Sequence, residues 1–220
     1  MSNSPDTIAQ GASPRPKIIF VAGHPRSGST WQFNAIRLLL ERAGTDLLAC
    51  WIGEYRAGSP QQVHLVKVHA PEDMVTDPDL VFVTERNVAE SLVSLARMGW
   101  IKDGDRASLE NQHHSLLRQR AFWRRRACHV TQYTAIGATP ERELAEMALE
   151  LGLSLDTTDI AWVAGELDSL SSPAPGSSVD PVTHLHPGHR LSDLDAGARA
   201  EAHRLRYWVE DYLSTAADPD

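Results

Sequence analysis

A chain of 220 residues with 42% hydrophobic and 23% charged side chains has the make-up of an ordinary folded domain with a full-sized core. Its net charge of -8 argues against nucleic acid or an anionic membrane as the main partner, while leaving room for a local cationic pocket around a small anion. Cys50 and Cys128 lack metal-site spacing and, with no secretory signal, read as reduced thiols of a cytoplasmic protein, and no apolar run approaches the roughly 20 residues of a membrane-spanning helix.

In chain order, residues 1–16 are polar and rich in Pro, Ser and Asn and predict a disordered tail, leaving 17–215 as a single domain. Lys17 to Ala22 is a short β-branched run suited to a buried parallel strand. A helix is expected from Thr30 to Arg42, stopped near Gly44, and a strand from Leu47 to Ile52. After a loop at Arg56 to Gln62, His64 to Val68 reads as a strand ended by Pro71. Asp73 to Asp79 is a polar turn, Leu80 to Thr84 a strand, and Asn87 to Met98 the helix that follows.

A longer helix is expected over Ala107 to Ala127 and a strand over Val130 to Ala135. Thr139-Pro140-Glu141 then marks a helix start: an N-cap residue, proline at the first helical position and acid in the first turn. Leu144, Met147, Ala148 and Leu151 recur at helical spacing, and Gly152 ends the run. Ser171 to Pro181 reads as a loop. The last helix spans Leu194 to Leu213, with Leu205, Trp208, Val209 and Tyr212 as its apolar stripe. Alternating strands and helices imply an α/β, P-loop-like three-layer fold, with a central parallel sheet flanked by helices. In such a fold ligands bind beyond the carboxyl ends of the strands, where Arg26, His69 and Arg86 would converge.

The stretch Gly23 to Trp31, GHPRSGSTW, lies between the first strand and the first helix. A glycine-rich turn entering a helix cradles phosphate, because its backbone N–H groups and the helix N-terminus point at the anion. Gly23 and Gly28 have the spacing of an ATP-binding loop, yet Ser29 stands where that loop has lysine, and the cation is Arg26. The strand at Leu80 ends Val83-Thr84-Glu85, without the Asp that holds Mg²⁺ in ATPases.

HPRSGSTW is similar to the PKSGTTW loop of sulfotransferases that use 3′-phosphoadenosine 5′-phosphosulfate (PAPS) and release the 3′,5′-bisphosphate (PAP). VKVHAP resembles the family's KTHLP segment, and ERNVAESLVS its RNPxDxxxS segment, in the same order along the chain. Gln132-Tyr133-Thr134 resembles the YEDL segment without its acids. The resemblance implies that backbone groups of Ser27, Gly28, Ser29 and Thr30, with the Ser29 and Thr30 hydroxyls, bind the 5′-phosphosulfate. It puts Arg26 on the oxygen bridging sulfur and phosphorus, Trp31 on the adenine and Tyr133 near it, and Arg86 and Ser94 on the 3′-phosphate. His69 would be the general base on the acceptor and Lys67 would stand beside the sulfuryl group. The implied co-substrate is PAPS with no metal, and the implied partner a small hydroxylated acceptor.

The chain departs from the family pattern in four places. Arginine replaces lysine at Arg26, Val88 stands where proline is usual, and Tyr133 lacks its acidic neighbours. The C-terminal RKGxxGxW clamp is replaced by His184 to Ser192, from which Arg190 or His189 would complete the nucleotide site. His184, His186 and His189 leave three readings open: a solvated loop, a nucleotide or acceptor contact, or zinc. Trp31 can equally be core packing. The arginines from Arg118 to Arg126 read as a solvated helix face or as a surface for an acidic partner. A small-molecule kinase using ATP and Mg²⁺, or a non-catalytic PAP-binding protein, remain alternatives. Oligomeric state and acceptor identity leave no mark in the sequence.

Overall fold

The computed structural model describes residues 15–174, 176–187 and 196–216. The expected tail lies almost wholly outside the described residues, as do His189 and Arg190. Five strands form one parallel sheet: β1 (Lys17–Ala22), β2 (Leu47–Trp51), β3 (Val63–Lys67), β4 (Leu80–Glu85) and β5 (His129–Gln132), in the order β2-β3-β1-β4-β5. Their residues alternate between two cores, as strand pleating requires. Ile19, Val21, Leu65 and Phe82 face α1 (Ser29–Arg42), and Ile18, Phe20, Val66, Val81 and Val83 face the opposite way, toward Trp123.

The first core is closed by α1, α5 (Pro140–Leu151) and α6 (Thr157–Ser169). The second is closed by α3 (Arg106–Arg124), whose Trp123 meets Phe20 edge-on at 6.4 Å. A third cluster joins α2 (Val88–Arg97), α3 and α7 (Ala196–Thr215) through Leu92, Leu95, Leu109, Leu205 and Val209. These layers are the α/β, P-loop-like arrangement expected. No helix among the described residues is long and apolar enough to cross a membrane.

Several boundaries differ from expectation. The strand expected to run to Ala135 stops at Gln132, and α4 (Tyr133–Ala138) starts there, because Tyr133 and Ile136 pack on Gly28. Thr139 holds the N-cap position of α5 by backbone only, and its hydroxyl makes no capping bond. Helix α6 has no counterpart in the sequence reading. It is launched by a capping box, in which the Asp156 carboxylate accepts from Thr158 N and Asp159 N and the Asp159 carboxylate accepts from Asp156 N. Two of the arginines expected on a solvated face or against an acidic partner stay partly exposed and also hold a buried strand end: Arg120 and Arg124 pair with Glu85 at 3.3 and 2.9 Å.

The loop after β1 leads to α1 and β2 on one side, and β4 leads on to β5 on the other. A crevice therefore opens beyond the carboxyl ends of β1 and β4. Arg26 follows β1, His69 follows β3 and Arg86 follows β4, so all three stand at its rim.

Candidate active site

The loop between β1 and α1 needs glycine at both ends. Gly23 has φ 135°, and a Cβ there would stand 2.9 Å from Ser27 Oγ and from the Thr84 carbonyl oxygen. Gly28 has φ 107°, and a Cβ would stand 2.9 Å from Ile136 Cδ1 and 3.0 Å from the Tyr133 ring. Between them Arg26 adopts φ 66°, left-handed although it carries a side chain.

Helix geometry leaves the N–H groups of Gly28, Ser29 and Thr30 without an intrahelical acceptor, and the first turn of α1 carries no acid. Ser27 departs from its expected role. Its N–H bonds the His24 carbonyl at 3.2 Å and its hydroxyl meets that of Thr84 at 2.8 Å. Both of its groups turn inward, so Ser27 braces the loop, and the N–H groups without an intrahelical acceptor start at Gly28.

Two hollows meet at this loop. The larger, about 600 Å³, is walled by Trp31, Val93, Ile136, Leu167 and Leu185 and carries Arg86, Ser94 and Arg97. The smaller, about 70 Å³, carries Lys67, His69, Ser29, Trp100 and His186. Arg26, Gly28, Thr30, Arg86 and Tyr133 line both. Trp31 lines the larger hollow and also packs against the α1-side core. Leu170 and Leu185, on either side of the loop Ser171 to Pro181, border the larger hollow.

Cations dominate the lining. Arg26, Lys67, Arg86, Arg97, Arg199 and Arg206 face one carboxylate, Glu90, which is paired with Arg86 at 2.9 Å. Arg26 Nε donates to Ser94 Oγ at 2.9 Å, and Arg86 donates to the Arg26 carbonyl at 3.4 Å. Arg86 also lies 4.0 Å over the Tyr133 ring. Lys67, 4% exposed, donates to Thr30 Oγ1 at 2.7 Å. Burial and the charge of Arg26 push the Lys67 ammonium down to about 7. Burial, with Arg97 and Arg86 nearby, lowers Arg26 to about 10. So many crowded positive charges in a chain of net charge -8 are the electrostatic mark of an anion site.

His69 is held on three sides. Its Nδ1 lies 2.8 Å from the Gly23 carbonyl, its own carbonyl accepts from Trp123 Nε1 at 2.6 Å, and Trp51 meets its ring edge-on at 5.3 Å. Burial first, then the charge of Lys67, lowers its pKa to about 3. A carbonyl only accepts, so the proton of the neutral ring sits on Nδ1 and Nε2 keeps its lone pair.

The sequence reading missed Arg97, Arg199, His203 and Arg206. Arg97 stands three residues after Ser94 on α2, and Arg199, His203 and Arg206 follow one another at helical spacing on α7. That periodicity was a usable signal.

No protein-family model matches the sequence, and no curated protein sequence matches it. Solved structures do. Mouse sulfotransferase SULT7A1 complexed with PAP is similar at TM-score 0.56 and 12% identity, over 91% of this chain and 90% of that one. Retinol dehydratase is similar in complex with androsterone and PAP (TM-score 0.50, 16% identity) and in complex with retinol and PAP (0.51, 15%). Each match covers 94% of this chain and 84% of the other. The chain has the fold of these PAP-bound proteins.

Proposed function

We propose that this protein transfers a sulfuryl group from PAPS to a hydroxyl or amine of a small-molecule acceptor. The observation that carries the reading is the shared wall. One loop, Gly23 to Trp31, borders both a hollow with Arg86 and Ser94 and a cleft with Lys67 and a neutral His69. A bisphosphorylated nucleotide needs cations at both ends, and the larger hollow is of the size that takes one.

In this reading the N–H groups of Gly28, Ser29 and Thr30 and the Ser29 and Thr30 hydroxyls hold the 5′ end. Trp31 and Tyr133 flank the adenine. Arg86 and Ser94 hold the 3′-phosphate, with Arg97, Arg199 and Arg206 around the same hollow. The acceptor oxygen attacks sulfur as His69 Nε2 takes its proton. The bond from sulfur to the bridging oxygen breaks, and the electron pair leaves on that oxygen, next to Arg26 and Lys67. The donor's negative charge opposes the field of Lys67 on His69, the second cause of its lowered pKa after burial. Catalysis rests on positioning and fixed charge.

The test is incubation with PAPS and a panel of hydroxylated and amine acceptors, scored by mass spectrometry, with ATP and Mg²⁺ as the competing donor. Sulfated product is expected, and His69→Ala should lower transfer about 10²–10⁴-fold while PAP affinity holds. Thermal stabilisation by ATP with Mg²⁺ but not by PAP would overturn the reading. Undiminished transfer in His69→Ala would remove His69 from the mechanism.

A further inference from the structure

The segment after α6 is tied to the helix that carries the anion-binding turn. The Asp180 carboxylate accepts from Val182 N, Thr183 N and the Thr183 hydroxyl at 2.7–2.9 Å, and the His184 N–H bonds the Asp180 carbonyl at 2.9 Å. The Asn34 amide of α1 then bridges two carbonyls, Thr30 at 2.9 Å and Thr183 at 2.8 Å. His184, buried at 7% exposure, sets its ring edge-on against Phe33 of α1 at 4.9 Å.

The backbone of His184 is left-handed, φ 54°. Among the described residues only Arg26 shares that conformation without being glycine. Strain of this kind persists where surrounding contacts enforce it. Here it lies at two points of one site. The turn at Arg26 directs the first cation, and the turn at His184 precedes His186 by two residues.

His186 lines the smaller cleft together with Arg26, Ser29, Thr30, Lys67 and His69, and its ring meets Trp100 edge-on at 5.9 Å. At about 70 Å³ the cleft has room for a group of a few heavy atoms and none for a whole acceptor molecule. Burial, then Lys67 and Arg26, lower the pKa of His186, so near neutrality it is an uncharged ring with one N–H donor.

We propose that His186 is a sulfuryl-site residue: its ring N–H donates to a sulfuryl oxygen of the bound donor, beside Lys67 and opposite the turn at Gly28 to Thr30. This assignment rests on the PAPS reading above. It gives the segment that replaces the family's C-terminal clamp a role at the sulfur end of the donor, apart from the 3′-phosphate. In-line transfer spreads charge over the sulfuryl oxygens, and a fixed neutral donor there binds them without raising the net charge of a site already crowded with cations.

The distinguishing measurement is the ratio of PAPS to PAP affinity, by calorimetry on the full chain, because the two nucleotides differ only by the sulfuryl group. His186→Ala should weaken PAPS about tenfold or more and leave PAP within about twofold. His186→Phe, which keeps a ring against Trp100 without an N–H, should do the same. His186→Asn, which keeps a donor, should recover most of the PAPS affinity. Equal losses for PAPS and PAP would mean that the residue only supports the loop, and an unchanged ratio in both Ala and Phe variants would also overturn the assignment. If the unaltered protein binds neither nucleotide, the sulfotransferase reading fails and takes this one with it. If it binds both and only the ratio stays fixed, the failure belongs to His186 alone.

Discussion

Lys67 gives the sharpest quantitative handle on the site. Its ammonium is 4% exposed, held on Thr30 Oγ1 at 2.7 Å, and lowered from 10.5 to about 7 by burial and by Arg26. At pH 8 it is therefore about nine-tenths neutral in the nucleotide-free protein. A bisphosphate in the adjoining cleft favours the charged form and returns the pKa toward 10.5. Binding of PAP at pH 8 should then take up about 0.9 proton, and affinity should fall as pH rises above 7. Between pH 7 and pH 9 the linkage amounts to about 50-fold, or about 2.3 kcal/mol. Both phosphates of PAP are essentially fully ionised over this range, so the ligand adds little slope of its own. The assay is calorimetry at constant ionic strength in two buffers of different ionisation enthalpy, with Lys67→Met alongside. The variant should bind PAP more weakly at pH 7, with the uptake abolished and the pH dependence flattened. Uptake below about 0.2 proton, or the same uptake in Lys67→Met, would refute the placement of this lysine beside the anion.

Gly28→Ala forces a side chain into φ 107° and against Ile136 at 2.9 Å, which should cost about 1–3 kcal/mol in urea denaturation, with a matching loss of PAP affinity. An unchanged denaturation midpoint would contradict the tight approach of α4 to the loop. Arg86→Met should weaken PAP about tenfold or more while leaving adenosine 5′-phosphosulfate, which lacks the 3′-phosphate, nearly unaffected. Equal losses for both nucleotides, read by competition calorimetry, would remove Arg86 from the 3′-phosphate.

Local chemistry is what a sequence writes most plainly, and here it was enough for the loop. Gly23 and Gly28 are forced by positive φ and by atoms 2.9 Å away, so their spacing survives in the primary structure. The strand ends carrying Lys67 and Arg86 were legible for a similar reason, since buried parallel strands are short apolar runs with polar residues at their exits. What stayed hidden depends on packing between distant segments. Nothing near Trp123 says that its indole N–H caps the carbonyl of His69, 54 residues earlier, or that Arg120 and Arg124 neutralise Glu85. The run from Val130 to Ala135 mixes apolar and polar residues in a way that fits either strand or helix, and contact with Gly28 decides in favour of helix from Tyr133 onward. Helix α6 was missed although Asp156 and Asp159 spell its capping box and Ile160, Val163 and Leu167 follow at helical spacing.

The arginine at position 26, odd beside the lysine of the sulfotransferases it resembles, has a local explanation. Its backbone is left-handed, at a cost of about 1–2 kcal/mol for a residue with a side chain. That turn puts its carbonyl within reach of Arg86 and its Nε on Ser94, while its side chain borders both hollows. An ammonium is a single compact charge on a flexible stem, whereas a guanidinium is a planar fork of five donors that can serve partners at both ends. With Lys67 buried and near half-charged at pH 7, a second cation of the same kind would tend to lose its proton too. Arginine, lowered only to about 10, stays charged. The substitution thus keeps one permanent positive charge at the junction of the two hollows, where the proposed chemistry places the departing electron pair.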